Sequence, residues 1–103
     1  MATPIRLNDK SPIEKVKILI DYANLLQGTA IASTEIEVED RDSGDAYPNL
    51  VEDLGFESQA VGIKVVGGID GHRYIIRVRA TGDDIVSGDE VYEAVLYQDV
   101  VGT

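Results

Sequence analysis

The chain has 103 residues, the length of one domain, and 19 acidic residues against 9 lysines and arginines give a formal net charge of −10 at pH 7. Its hydrophobic fraction of 44% is ordinary for a folded domain and excludes a disordered acidic tail. The negative charge opposes binding to nucleic-acid phosphates and to anionic membrane surfaces. No cysteine is present, which excludes disulfides, thiolate catalysis and a cysteine-bound zinc ion.

The N-terminal segment carries two prolines and little hydrophobic periodicity, so Met1 to Pro12 is predicted to be an extended arm ahead of a single domain over residues 13–103. No apolar run approaches the roughly 20 residues of a membrane-spanning helix. The N-terminus also lacks the apolar core of a signal peptide, which favours synthesis in a cytoplasm.

The next segment fits two structures. Apolar and polar residues alternate from Val16 to Tyr22, as in a strand. Ser11, Pro12 and Glu14 instead stand at the N-cap, N1 and N3 positions of a capped helix. The β-branched residues within the alternation favour the strand.

Further strands are predicted where apolar residues alternate between turn signals: Ala32 to Val38, Ala60 to Val66, Arg73 to Ala80 and Glu90 to Val101. Asp40 to Leu50 and Thr81 to Gly88 are rich in turn residues, and Val51 to Phe56 fits either a strand or a turn. The glycine-rich run Gly67 to Gly71 predicts a hairpin between the strands on either side of it. Evenly spaced strands of this kind predict an all-β antiparallel sandwich or barrel.

Residues suited to catalysis or metal binding are few. His72 has no second histidine or cysteine with which to share a transition metal. Gly67 to Gly71 lacks the lysine and the following helix of a phosphate-binding loop. No nucleophile accompanies the carboxylates, so the sequence predicts neither an enzyme nor a cofactor.

The acidic loop from Asp40 to Asp45 is similar to the oxygen-rich half of a calcium loop. However, Gly44 precedes Asp45, and no glutamate stands at the closing position of an EF-hand. A solvated loop is therefore favoured over a calcium site, and no metal is predicted. Asp40, Asp42 and Asp45 are candidate contacts with other proteins instead.

A basic face is predicted on the strand that carries Arg73, Arg77 and Arg79. One interpretation is that these arginines pair across the sheet with the acidic face Glu35, Glu37 and Glu39. The other is that they contact an acidic surface on a partner or on another copy of the chain, because the planar guanidinium binds carboxylates bidentately.

Two stretches resemble the small immunoglobulin-like structural proteins of tailed bacteriophages and prophages. The first is Glu14 to Tyr22 followed by Leu25 to Ser33, and the second is Val65 to Gly68 followed by Gly71, Tyr74 and Ala80-Thr81. The resemblance covers about Lys10 to Val100 and departs at Glu39 to Glu57, which is longer and more acidic. It implies an antiparallel immunoglobulin-like β-sandwich with a short extended N-terminal arm, and it favours a strand at Val16 to Tyr22.

The resemblance also implies a non-enzymatic structural protein of the virion, made in the host bacterial cytoplasm. It would serve as a head decoration (cement) protein or as a neck, tail or fibre adaptor, in contact with other virion proteins and forming a homo-oligomer in the particle, without direct contact to nucleic acid or membrane. A free binding module for calcium or glycans and an acidic inhibitor that mimics nucleic acid remain alternatives. The expected contact residues are Thr3, Pro4, Ile5, Arg6, Leu7, Arg73, Arg77, Arg79, Asp40, Asp42 and Asp45.

Overall fold

The computed structural model of the chain describes residues 4–26, 30–82 and 90–102. The strands are β1 (Ile5–Arg6), β2 (Val16–Asp21), β3 (Ile31–Asp40), β4 (Val51–Glu57), β5 (Ala60–Val65), β6 (Arg73–Gly82) and β7 (Glu90–Asp99). One helical turn, α1 (Ala23–Leu26), follows β2, and a 3₁₀ turn (Pro48–Leu50) precedes β4. None of the described helices is long and apolar enough to cross a membrane.

The strands form two sheets, one with the order β1-β7-β6-β3 and one with the order β2-β5-β4. Every pair is antiparallel except β1 and β7, which are parallel. The prediction of an all-β sandwich is confirmed. The immunoglobulin-like assignment stays a prediction, although immunoglobulin domains share the grouping of β2, β5 and β4 in one sheet and β3, β6 and β7 in the other.

The core lies between the sheets because alternate side chains of each central strand point inward. Val61, Ile63 and Val65 of β5 are completely buried, as are the four inward side chains of β6 from Tyr74 to Ala80. Tyr22, immediately after β2, also connects the sheets, because its buried hydroxyl donates a 2.7 Å hydrogen bond to the Val78 carbonyl of β6.

The strand predicted from Val16 is confirmed as β2, and the capping signal ahead of it forms a turn. The Ser11 N–H donates to the Glu14 carboxylate at 2.8 Å, the reciprocal bond of a capping box, and it lowers the pKa of Glu14. The residues after this turn form β2 and not a helix, because the alternation of β2 places Ile18 and Ile20 against the core.

The predicted hairpin between Ala60 to Val66 and Arg73 to Ala80 is wrong. β5 and β6 belong to different sheets, so the glycine-rich segment crosses from one sheet to the other. Gly68 adopts a φ of +117° there, and a Cβ at this position would lie 2.5 Å from Val100 Cγ2. The glycines therefore allow the chain to pass close to the core as it crosses between the sheets. Packing against the core determines which sheet the next strand joins.

The hairpin partner of β5 is β4, which resolves Val51 to Phe56 as a strand. The connecting turn contains Ser58 in a left-handed conformation with a φ of +56°. Thr81 and Gly82, predicted to start a turn, extend β6 instead, because they continue its register with β7. The rest of that predicted turn lies outside the described residues.

The described part of the predicted arm lies along β7. Ile5 stands opposite Leu96 in the parallel pair, and the N–H of Leu7 donates to the Tyr97 carbonyl. Farther along, the Lys10 ammonium is buried and donates 2.7 Å hydrogen bonds to two carbonyls, those of Ser11 and Gly67. Burial lowers the pKa of Lys10.

Candidate protein contact surfaces

The three arginines of the predicted basic face lie on the outer face of β6. Because β6 pairs with both β3 and β7, Arg79 stands opposite Glu35 on one side and Glu93 on the other. Its guanidinium donates to Glu35 at 3.2 Å, to Glu37 at 3.0 Å and to Glu93 at 2.8 Å. The hydrogen bonds to Glu37 and Glu93 raise the pKa of Arg79. Cross-sheet pairing thus accounts for this arginine.

Arg73 is also paired within the chain. Its guanidinium lies 3.2 Å from one carboxylate oxygen of Asp42, and its backbone N–H donates to the other at 2.7 Å. These two hydrogen bonds lower the pKa of Asp42. The Arg73–Asp42 pair therefore fixes the acidic loop to the start of β6.

Arg77 differs from its two neighbours. Its side chain is half-buried, and among the described residues it forms no ion pair within 4.0 Å, because Glu37 directly opposite is bound to Arg79. It lines a groove of about 360 Å³ beside Pro48 and another of about 600 Å³ beside Val95. Arg77 is thus the arginine of this face whose guanidinium remains available to a carboxylate on another molecule.

Asp40, the last residue of β3, begins the acidic loop and is buried. Its side chain is 3% exposed. One carboxylate oxygen accepts the N–H groups of Asp42 and Ser43, and the other lies 2.6 Å from Nδ1 of His72. No local pattern predicts this role for His72, which stands 32 residues away. Asp45 is exposed at the far end of the loop.

Asp40, Asp42 and His72 place one potential ligand atom each within 4.8 Å of one another. Both oxygens of Asp40 already accept protein hydrogen bonds, and so do both oxygens of Asp42. These ligand atoms are therefore used to close the loop, and the cluster carries no metal proposal.

The N-terminal contact candidates divide by whether their side chains have partners within the chain. Arg6 donates to Asp99 at 2.7 Å, and Leu7 packs against the core. Pro4 is exposed and Ile5 is 52% exposed, so these two side chains face solvent. Thr3 lies outside the described residues.

A further surface lies on the outer face of the three-stranded sheet. Leu19 and Leu54 are 72% and 45% exposed there, around a shallow groove of about 590 Å³ that also contains Gly62. Leu19 lies between Ile18 and Ile20, the inward residues of β2, so its side chain points outward. An apolar residue at this outward position is the signal of the surface in the sequence. It was not among the predicted contacts.

These features define a small β-sandwich protein with distinct surfaces on its two sheets. The chain belongs to a family of podophage adaptor proteins: residues 10–92 match the family described as "Podophage GP4 fiber-tail adaptor protein gp77". The match includes β2 to β6 and the start of β7. No curated protein is significantly similar to the chain. The resemblance to small phage structural proteins is confirmed, and family membership makes the chain a virion component that interacts with other virion proteins.

Proposed function

We propose that this protein joins a fibre to the tail of a podophage virion and acts as an adaptor without enzymatic activity. The family match over residues 10–92 carries this proposal. It favours the fibre–tail position over head decoration and over the neck. We find no specific observation that favours a free calcium or glycan module or a nucleic-acid mimic.

The fold offers two outer faces of different chemistry to the virion proteins around it, which include further copies of this chain. The four-stranded sheet presents a charged face with the available guanidinium of Arg77, flanked at the β1 edge by the exposed Ile5. The three-stranded sheet presents an apolar groove around Gly62. The sandwich between them keeps the two faces at a fixed separation, so docking at one face positions the other.

The contact residues remain a proposal, and their pairing within the chain divides them by role. We assign direct contacts to Pro4, Ile5, Arg77 and Asp45, whose side chains form no ion pair or hydrogen bond among the described residues. The remaining described candidates are paired or packed within the chain and support those contacts indirectly: Arg6, Leu7, Arg73, Arg79, Asp40 and Asp42. We further propose several copies per particle, synthesis in the host bacterial cytoplasm and, because the net charge is −10, no direct contact with nucleic acid.

Particle composition tests the proposed function. Quantitative mass spectrometry of purified virions would give copies of this chain relative to the major capsid protein and the fibre protein. A fibre–tail adaptor is expected in as few copies as one ring holds, and particles from a phage lacking the gene are expected to keep heads and tails but lose fibres. Copies that match the capsid protein, with fibres retained after deletion, would instead show head decoration. Absence from the particle would overturn the virion role.

A further inference from the structure

We propose that the outer face of the three-stranded sheet is an interface between two copies of this chain. The copies pack face to face and are related by a two-fold axis that runs across the strands. This inference stands on the geometry of the sheet and does not depend on the fibre–tail role.

The strand register places an apolar row across the middle of this face. Leu19 of β2 stands opposite Gly62 of β5, and Gly62 stands opposite Gly55 of β4. A Cβ at Gly62 would lie 3.3 Å from the Cβ of Leu54, so Leu54 leans over the glycine at the bulge between Asp53 and Gly55. The result is a shallow groove with Leu19 on one side and Leu54 on the other.

This arrangement is unusual for the outward face of a two-sheet protein. The outward face of an antiparallel sheet is ordinarily polar, since alternation puts the apolar residues inside. Here Leu19 is the most exposed leucine in the described part of the chain, at 72%. Exposed apolar groups surrounded by charged residues mark a site of interaction with another protein.

Charges on either side of the apolar row identify a second copy as the occupant. Lys17 and Lys64 stand opposite each other at one end of the face, and Asp21 and Glu57 both align with Ala60 at the other. Each charged row is two residues from the leucine row, or about 7 Å along the strands. The face therefore changes from positive to negative along β2, whereas β4 carries a glutamate at each end, Glu52 and Glu57.

A two-fold axis along the apolar row reverses the strand direction of the second copy. Lys17 of each copy then lies over Asp21 of the other, and Leu19 lies against Leu19. This is the self-complementarity that an isologous interface requires. On β4 the same axis places Glu52 over Glu57 of the other copy, so that strand adds no attraction and Lys17 with Asp21 carries the charge complementarity. Among the described residues, Lys17 and Lys64 form no ion pair within the chain.

The edges of the same sheet favour face packing over strand addition. β2 is an edge strand that carries Lys17 and follows Lys15, and β4 is an edge strand with a bulge beside Asp53. Lysines and bulges on edge strands oppose pairing with another strand. The face is therefore the surface of this sheet that is open to a second copy.

The face is small, so the dimer is expected to be weak. Three short strands bury less than the roughly 800 Å² per partner of a standard interface, which puts the dissociation constant in the micromolar to millimolar range. Several copies held close together in a particle would raise the effective concentration and fill the interface.

Sedimentation equilibrium of the purified full chain from about 10 μM to about 1 mM tests the proposal across that range of affinity. The wild type is expected to form dimers, and Leu19→Ser is expected to weaken them by about tenfold or more. Val91→Ser removes another exposed side chain, 60% exposed on the opposite sheet, and is expected to leave the dissociation constant unchanged. A wild type that stays monomeric throughout, or equal effects of the two substitutions, would overturn the interface.

A charge exchange tests the two-fold arrangement itself. Lys17→Asp and Asp21→Lys each place like charges across the axis, so each is expected to weaken the dimer by about tenfold. The double variant restores opposite charges in both places and is expected to return the dissociation constant to within about threefold of the wild type. Circular dichroism and urea unfolding would show that all three variants fold. A double variant weaker than either single variant would overturn the two-fold geometry.

Discussion

Oδ2 of Asp40 lies 2.6 Å from Nδ1 of His72, which joins the end of β3 to the residue immediately before β6. The same carboxylate accepts the N–H groups of Asp42 and Ser43 through its other oxygen. One side chain therefore closes the acidic loop and attaches it to the neighbouring strand. These hydrogen bonds make Asp40, the first residue of the predicted contact loop, a structural residue.

The pKa of Asp40 gives this arrangement a pH dependence. Burial raises the pKa of the carboxyl, but the hydrogen bonds from His72, Asp42 and Ser43 outweigh burial and hold the pKa below its ordinary value of 3.8. Because the folded pKa lies below the unfolded one, the carboxylate stabilises the fold above pH 3.8. That contribution is lost as the pH falls through the folded pKa.

We expect Asp40→Asn to lower the free energy of unfolding by about 2 kcal/mol at pH 7, since the charged acceptor is replaced by a neutral amide. Urea denaturation between pH 7 and pH 3 would measure the difference from wild type, which should shrink toward the acid end. Asp45→Asn in the same loop is the matched control, with an expected change within about 0.5 kcal/mol. Equal effects of the two substitutions would show that the Asp40 hydrogen bonds add no net stability.

Tyr22 connects the two sheets, and its hydroxyl makes the stability of the fold depend on pH in the alkaline range. Burial raises the pKa of its hydroxyl to about 12. Between pH 10 and pH 12 the unfolded tyrosine is therefore ionised while the folded one keeps its proton, so stability decreases by up to about 1.4 kcal/mol per pH unit.

We expect Tyr22→Phe to cost about 1 kcal/mol at pH 7 through loss of the hydrogen bond to Val78. The variant should also lose part of the alkaline destabilisation. Urea unfolding of both proteins at pH 7, 10 and 11 would measure this, and absorbance at 295 nm would follow tyrosine ionisation. Because the other tyrosines are common to both proteins, the difference in slope belongs to Tyr22. Parallel slopes would contradict the assignment.

Gly68 tests why the chain crosses between sheets where a hairpin is predicted. A Cβ there would meet Val100 at 2.5 Å and Leu50 at 3.3 Å, and the φ of +117° is itself unfavourable for alanine. We expect Gly68→Ala to destabilise the protein by about 3 kcal/mol, from backbone strain together with overpacking.

Gly71→Ala is the matched control for Gly68→Ala. Gly71 also has a positive φ, +83°, but no atom lies within 4 Å of the position of a Cβ. Its substitution should cost about 1 kcal/mol, the backbone contribution alone. Thermal unfolding of both variants would separate the two effects. Equal losses would show that the close approach to Val100 relaxes without cost.

The strands were predictable where a single alternation decides both structure and burial. Val61, Ile63 and Val65 alternate with smaller or polar residues, and all three are completely buried in β5. The connection after β5 was not predictable in the same way. A glycine-rich run specifies a change of direction, but contacts of Gly68 with the core determine which sheet the next strand joins.

The contact surfaces were predictable in part, for a related reason. The pairing of Arg79 with Glu35 follows from two alternating charged faces that meet in adjacent strands. The apolar groove depends on a bulge in β4 that turns Leu54 outward, and Gly55, with a φ of +89°, is its local signal in the sequence. Residues far apart in sequence, as Asp40 and His72 are, meet only once the register of β3 and β6 is fixed.

Arg77 and Arg79 share one face of β6 and offer a test that separates binding from folding. Arg79 holds three carboxylates on two neighbouring strands, whereas Arg77 forms no ion pair among the described residues. We expect Arg79→Gln to lower the midpoint of thermal unfolding and Arg77→Gln to leave it unchanged. Differential scanning calorimetry of the purified variants would measure both midpoints.

In virions we expect the opposite ranking of the two substitutions, with Arg77→Gln reducing fibre attachment more than Arg79→Gln. If Arg77 contacts a carboxylate of a fibre or tail protein, Arg77→Gln removes a charge-assisted hydrogen bond and should weaken that contact by about tenfold. Mass spectrometry of purified particles should then show fewer fibre proteins per tail, while Arg79→Gln particles retain their fibres at temperatures below the unfolding midpoint. Full fibre occupancy in Arg77→Gln particles would remove Arg77 from the contact. Fibre loss confined to Arg79→Gln would mean that this face supports binding by holding β3, β6 and β7 together.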